Sequence, residues 1–209
     1  MSEQCFQCDN KYIMKQELIK QMFNLVKDKM NEFCIILKKD ENNVISFSSL
    51  IKEGYFQEYK DDKGEIKYRG ACIYPNGDYP YIFHSHPMKS KSYPRNEDII
   101  KLLRHPEIKL SIIATRWGIY IIKSTEKSKQ FASNFSKFSR DEQYEKYKNI
   151  FREHINKIFK IEEKKGYYYK IYTFVLNQED IEYLNRKLSN ISNISGLEIK
   201  FCPWTKLNI

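Results

Sequence analysis

Long apolar runs are missing from this 209-residue sequence. No window approaches the roughly 18 consecutive apolar residues of a membrane-crossing helix, so no membrane span is expected. The opening "MSEQCFQCDN" has neither a basic start nor an apolar stretch, which argues against a secretory signal. Cysteine is scarce and odd in number: five residues, at positions 5, 8, 34, 72 and 202. That scatter argues against a disulfide framework and fits a reducing compartment. Cys5 and Cys8 form a C-x-x-C pair, but a structural zinc site needs about four ligands, and no second C-x-x-C or H-x-x-x-H pair follows. There is no internal repeat.

A block of one charge is also lacking. The formal net charge is +9, which invites a nucleic-acid reading. Yet residues 1–123 hold 20 basic and 16 acidic residues, and 124–209 hold 16 and 11. An excess spread through both halves, without a basic run or a known nucleic-acid motif, suits acidic partners more than dedicated DNA or RNA binding. A soluble cytoplasmic protein is the expectation.

What the chain does have is core material. Hydrophobic residues make up 41% and aromatics 15%, and this length supports one substantial core, or a domain with an elaboration. Apolar positions at Ile13, Leu18, Ile19, Met22, Phe23, Leu25, Val26 and Met30 have helical spacing and predict a helix over 13–31. "EFCIILKK" and "VISFSSLI" read as strands around a "DENN" turn. "QEYKDDKGEIKYRG" reads as a polar hairpin loop, "KYRGACI" as a strand, and 75–77 as a Pro-Asn-Gly turn. "YIFHSH" is a strand ended by Pro87, which cannot donate to a ladder. A short helix follows Pro94, and "KLSIIATRWGIYIIK" is a hairpin. Residues 10–123 thus form an α+β domain with a mainly antiparallel sheet flanked by helices.

The remainder, 124–209, reads as a C-terminal α/β extension. Residues 124–140 are Ser/Lys-rich and predict a linker. Ser139 and Glu142 form a capping box that opens a helix to about Lys164, with Tyr144, Tyr147, Phe151, Ile155, Ile158 and Phe159 on one face. "YYYKIYTFVL" is a strand, "NQEDIEYLNRKLSNI" a helix and "LEIKFCPW" a last strand. The Tyr167–Tyr169 cluster favours a strand packed on the core over a stacking platform. Trp117 and Trp204 are large anchors for either a core or an interface.

Chemistry concentrates in "YIFHSHPMKSKSYPRNEDII", residues 81–100. Side chains two apart on a strand share a face, so His84 and His86 project together. The chain turns at Pro87 and returns through a helix whose first turn holds Asp98, where the dipole favours a carboxylate. Two imidazoles and one carboxylate are a catalytic kind of zinc set, leaving a fourth position for water. Taken alone, H-x-H equally describes histidines that merely decorate a strand end. His105 and His154 read as surface residues.

The order of parts carries more. A helix, then "NEFCIIL", further strands, "HSHP" and "PRNEDII" resemble the JAMM/MPN (JAB) metalloisopeptidase family across residues 12–123. The resemblance implies a cytidine-deaminase-like α+β fold. It implies zinc held by His84, His86 and Asp98, and Glu32 as the proton shuttle, with Glu53 and Glu58 as rivals further along. It implies hydrolysis of an amide after a ubiquitin or ubiquitin-like tail lying extended along a sheet edge. Two departures stand out. Eleven residues separate His86 from Asp98 where the family has ten, so strict counting selects Glu97, whereas Asp98-Ile99 matches the helix entry. The family's oxyanion-stabilising serine is replaced by Arg95, which can substitute as a charged donor, as can Ser92 from the longer loop. A catalytically inactive scaffold subunit of a larger assembly is the alternative expectation.

Overall fold

The computed structural model describes residues 5–6, 12–27, 31–60, 66–71, 74, 77–87, 92–164 and 176–207. The described elements, in chain order, are β1 (Cys5–Phe6), β2 (Ile13–Lys15), α1 (Gln16–Lys27), β3 (Phe33–Lys39), β4 (Val44–Glu53), β5 (Tyr55–Lys60), β6 (Ile66–Ala71) and β7 (Tyr81–Ser85). Then follow α2 (Asn96–Arg104), β8 (Leu110–Thr115), β9 (Gly118–Lys123), α3 (Glu126–Ser133), α4 (Arg140–Lys164), α5 (Gln178–Ser195) and β10 (Glu198–Pro203), with a 3-10 turn at Trp204–Leu207.

Eight strands form one sheet in the order β1-β2-β4-β3-β7-β8-β9-β10, and β5 and β6 pair separately as a hairpin. The sheet is mixed. β2/β4 and β7/β8 run parallel, and the other pairs are antiparallel. Strands β8 and β9 are buried at every residue, because helices cover both faces. On one face α1 places Leu18, Ile19, Met22 and Val26 against Ile35, Phe83, Ile112 and Ile121. Each such side chain contributes roughly 1.5–3 kcal/mol when fully buried. On the other face α2, α4 and α5 pack Ile99, Leu103, Phe151, Leu184 and Leu188 with Ile113, Tyr120 and Phe201.

The C-terminal extension joins the same sheet, since β10 pairs with β9 from Glu198↔Lys123 to Pro203↔Gly118. Gly118 is required at that seam: a Cβ there would lie 2.2 Å from the Cys202 carbonyl oxygen. Both tryptophans are core residues, Trp117 at 0% and Trp204 at 1% exposure, and the Trp204 indole donates to the Thr115 carbonyl at 2.8 Å.

Several expectations need correction. Residues 13–15 are a strand paired in parallel with β4, so the first helix begins at Gln16; β-branched and apolar residues here join a ladder before the helix takes over. Cys5–Phe6 add a further strand to the edge. Residues 57–60 belong to a strand of the β5/β6 hairpin. The expected linker contains α3, because Thr125 caps it reciprocally with Ser128 at 3.2 and 2.9 Å, and a good cap outweighs a polar composition. Cys34 and Cys202 are disulfide-bonded, against the expectation of free thiols. Cys34 shares the His84 face by register while Cys202 packs with the α1 cluster, so they are not bonded to each other. An odd count does not exclude bridges, and the reducing-compartment expectation loses that support. The C-x-x-C residue Cys8, the turn residues 75–76 and the strand expected at 167–175 lie outside the described residues.

Candidate metal centre

The candidate site sits where β7 ends, on the sheet face covered by α2. Alternation along β7 sends Ile82, His84 and His86 to that face, and Phe83 and Ser85 to the other. Both histidines are buried, at 6% and 1% exposure. The His86 amide donates to the Ala114 carbonyl at 2.7 Å, which extends the β7/β8 ladder past the last strand residue and fixes the second ring.

Asp98 arrives from the third position of α2. Its carboxylate accepts the Arg95 backbone amide at 2.6 Å, a cap that stops the side chain from rotating away. His84 Nε2 lies 3.1 Å from Asp98 Oδ1, His86 Nε2 lies 3.4 Å from Oδ2, and the two Nε2 atoms are 3.3 Å apart. Tetrahedral zinc with bonds of about 2.0–2.1 Å sets its ligand atoms about 3.3–3.5 Å apart. The histidines approach different oxygens of the carboxylate; with one ligand atom taken from each residue, the three donors lie within 4.8 Å of one another, close enough to share a metal ion. Among the described residues this is the group of three or more His, Cys, Asp or Glu that could hold one.

The electrostatics suit that use. Burial, and next the positive charge of Arg95, hold His86 below its usual value of 6.5, against the pull of Asp98 and Glu32; a ligand imidazole must be neutral. Burial opposes the charge on Asp98, but the two imidazoles outweigh it and keep the carboxyl well below the ordinary range.

Glu32 precedes β3. The antiparallel β3/β7 register pairs Cys34 with His84, and continuing it two residues sets Glu32 across from His86. The Ser85 hydroxyl, between the two histidines, accepts the Phe33 amide at 3.0 Å and ties the glutamate's neighbour to the histidine strand. The Glu32 carbonyl accepts the Gly54 amide at 2.6 Å, and the residue is 2% exposed. Its carboxylate is met by the Arg95 guanidinium in a close ion pair. Burial works against the charge on Arg95, but Glu32 and Asp98 outweigh it and raise its pKa. Of the rival glutamates, Glu53 pairs by backbone with Phe33 and Glu58 lies in the β5/β6 hairpin.

The structure thus brings His84, His86, Asp98, Glu32 and Arg95 together. Ser92 is buried and its carbonyl accepts the Tyr120 hydroxyl at 2.9 Å; it is Arg95 that reaches Glu32. Glu97, the residue that strict counting selects, instead accepts the Tyr144 hydroxyl of α4 at 2.6 Å. His105 pairs with Glu107 at 2.9 Å on the surface.

Two neighbours escaped the sequence reading. The Tyr74 hydroxyl donates to the Phe83 carbonyl at 2.9 Å, and its phenol is held protonated by burial and by the charges of Asp98 and Glu32. The Lys101 ammonium stands 3.9 Å from the Tyr74 ring centroid. No local spacing announces either residue; only the doubling back of the chain places Tyr74 beside β7.

Comparison with protein-family models, with curated proteins and with solved structures finds no match for this chain. No helix among the described residues is long and apolar enough to cross a membrane.

Proposed function

We propose that this chain is a zinc-dependent amide hydrolase of the JAMM/MPN kind, acting after the extended tail of a ubiquitin or ubiquitin-like protein. The observation that carries the reading is the spacing of the two imidazole nitrogens and the Asp98 carboxylate, 3.1–3.4 Å between partners. His84, His86 and Asp98 would hold the ion. Bound zinc supplies a Lewis acid and a water whose pKa falls towards ~7.

This chain's own residues do the rest. Glu32, across from His86 and buried, accepts the proton of the attacking water and returns it to the leaving nitrogen. Such proton transfer contributes roughly 10²–10⁴ in rate. Arg95, in its ion pair with Glu32, sets a positive charge beside that carboxylate. The test pairs metal analysis with cleavage of a ubiquitin-tail amide. Wild type should carry about one zinc and cut the bond unless a chelator is present, whereas Glu32→Gln should keep the metal and lose at least a hundredfold in rate. Protein that takes up no zinc at neutral pH overturns the reading.

A second reading has its own observation. The Arg95–Glu32 ion pair occupies the carboxylate that has to accept a proton, which suits an inactive scaffold subunit of a larger protein assembly. That reading predicts stable co-purification with partners and no cleavage, with or without chelator.

A further inference from the structure

Arg95 is the most exposed of the five site residues. Its side chain is 22% accessible, against 3% for Glu32, 8% for His84, 1% for His86 and 14% for Asp98. The guanidinium therefore stands at the mouth, and an incoming molecule meets it before Glu32. It already binds a carboxylate there. Separating the pair strands a guanidinium and a buried carboxylate, so an anion that takes over the guanidinium eases the release of Glu32 for proton transfer. An oxyanion that exists only fleetingly comes too late to do this. A carboxylate carried on the substrate can replace Glu32 beforehand, one for one, because the planar fork of arginine fits any carboxylate with two parallel hydrogen bonds.

We infer that Arg95 is the substrate-carboxylate receptor of this site. Resting on the hydrolase reading above, this narrows the substrate class to amides whose leaving amine is an α-amino acid with a free carboxylate beside the scissile bond, rather than a lysine ε-amine. Anchoring that carboxylate on Arg95 frees Glu32. Water then adds its oxygen to the carbonyl carbon, the C–N bond breaks, and one proton passes through Glu32 to the departing nitrogen. No redox partner is required.

Binding rather than turnover tests the idea. The full chain is loaded with Co(II), and paramagnetic broadening of the acetyl methyl signal is titrated for N-acetylglycine and for its neutral amide. Wild type should bind the acid roughly ten- to a hundredfold more tightly, as expected for hydrogen bonds between charged groups. Arg95→Ser should reduce that preference to about twofold while Co(II) uptake persists, and Arg95→Lys should keep an intermediate preference. Equal binding of acid and amide by wild type, or an undiminished preference in both variants, overturns this inference and leaves the metal centre standing. Failure of wild type to take up Co(II) overturns the metal centre and this inference with it.

Discussion

The two faces of β7 belong to one five-residue strand yet solve opposite problems. Towards α1 it presents Phe83, fully buried and 5.0 Å from the Phe47 ring, in surroundings built from Leu18, Ile35 and Ile112. Towards α2 it presents His84, and just beyond it His86, beside a carboxylate and a buried ion pair. Burial is equally deep on both faces, but on the second it is spent on groups that would be costly unless paired. The first face makes the domain fold. The second keeps donors dry and close, which a packing optimum does not require.

Breaking each face should give different phenotypes. The largest effect belongs to the apolar face: Phe83→Ala should cost about 3–5 kcal/mol in urea unfolding, since the emptied volume cannot collapse between a sheet and a helix. The protein that remains folded should still bind one equivalent of metal. A loss under about 1 kcal/mol would mean that this face is loosely packed. Next comes the polar face. Zinc at a free concentration a hundred times its dissociation constant should stabilise wild type by about 2.7 kcal/mol, seen as a rise in Tm that chelator reverses. His84→Ala should abolish that rise, and a rise that survives places the ion elsewhere.

A double-mutant cycle sharpens the comparison further. Arg95→Ser strands a buried carboxylate, and Glu32→Gln removes the charge it strands, so the two changes together should cost less than their sum. Residues in such contact couple by about 0.5–3 kcal/mol, and the partial exposure of Arg95 places this pair in the middle of that range. Strict additivity would show that the ion pair is not a working unit in solution.

The same division explains what the sequence made legible. Alternation and helical spacing set out β3, β7, α2 and the β8/β9 hairpin, because apolar residues at period two or 3.6 leave few other ways to bury them. His84, His86 and Asp98 were readable for the same reason: two sit on a shared strand face, and the third lies at a helix entry. Arg95 was visible only as a departure from a familiar pattern, and its pairing with Glu32 spans 63 positions, which no local rule reaches. Likewise α3 hid in a polar stretch because its stability derives from the Thr125 cap and from contact with α2 and α5. Short β2 merged with the helix behind it, since three residues are too few for a period to appear.

Ser85 is the one polar side chain that β7 sends towards the apolar face, and it gives the smallest effect with the most specific meaning. Its hydroxyl takes no part in the His84–His86–Asp98 group; it accepts the Phe33 amide at 3.0 Å, one residue after Glu32. Ser85→Ala removes the acceptor of a partly buried N–H, at about 1 kcal/mol of stability. Metal affinity should hardly change, because His84, His86 and Asp98 keep their own supports from β8 and the α2 cap. What should change is the position of Glu32, and hence kcat with KM nearly constant. A variant equally impaired in zinc binding would show instead that Ser85 props the histidines, and that the two strands move as a single rigid piece.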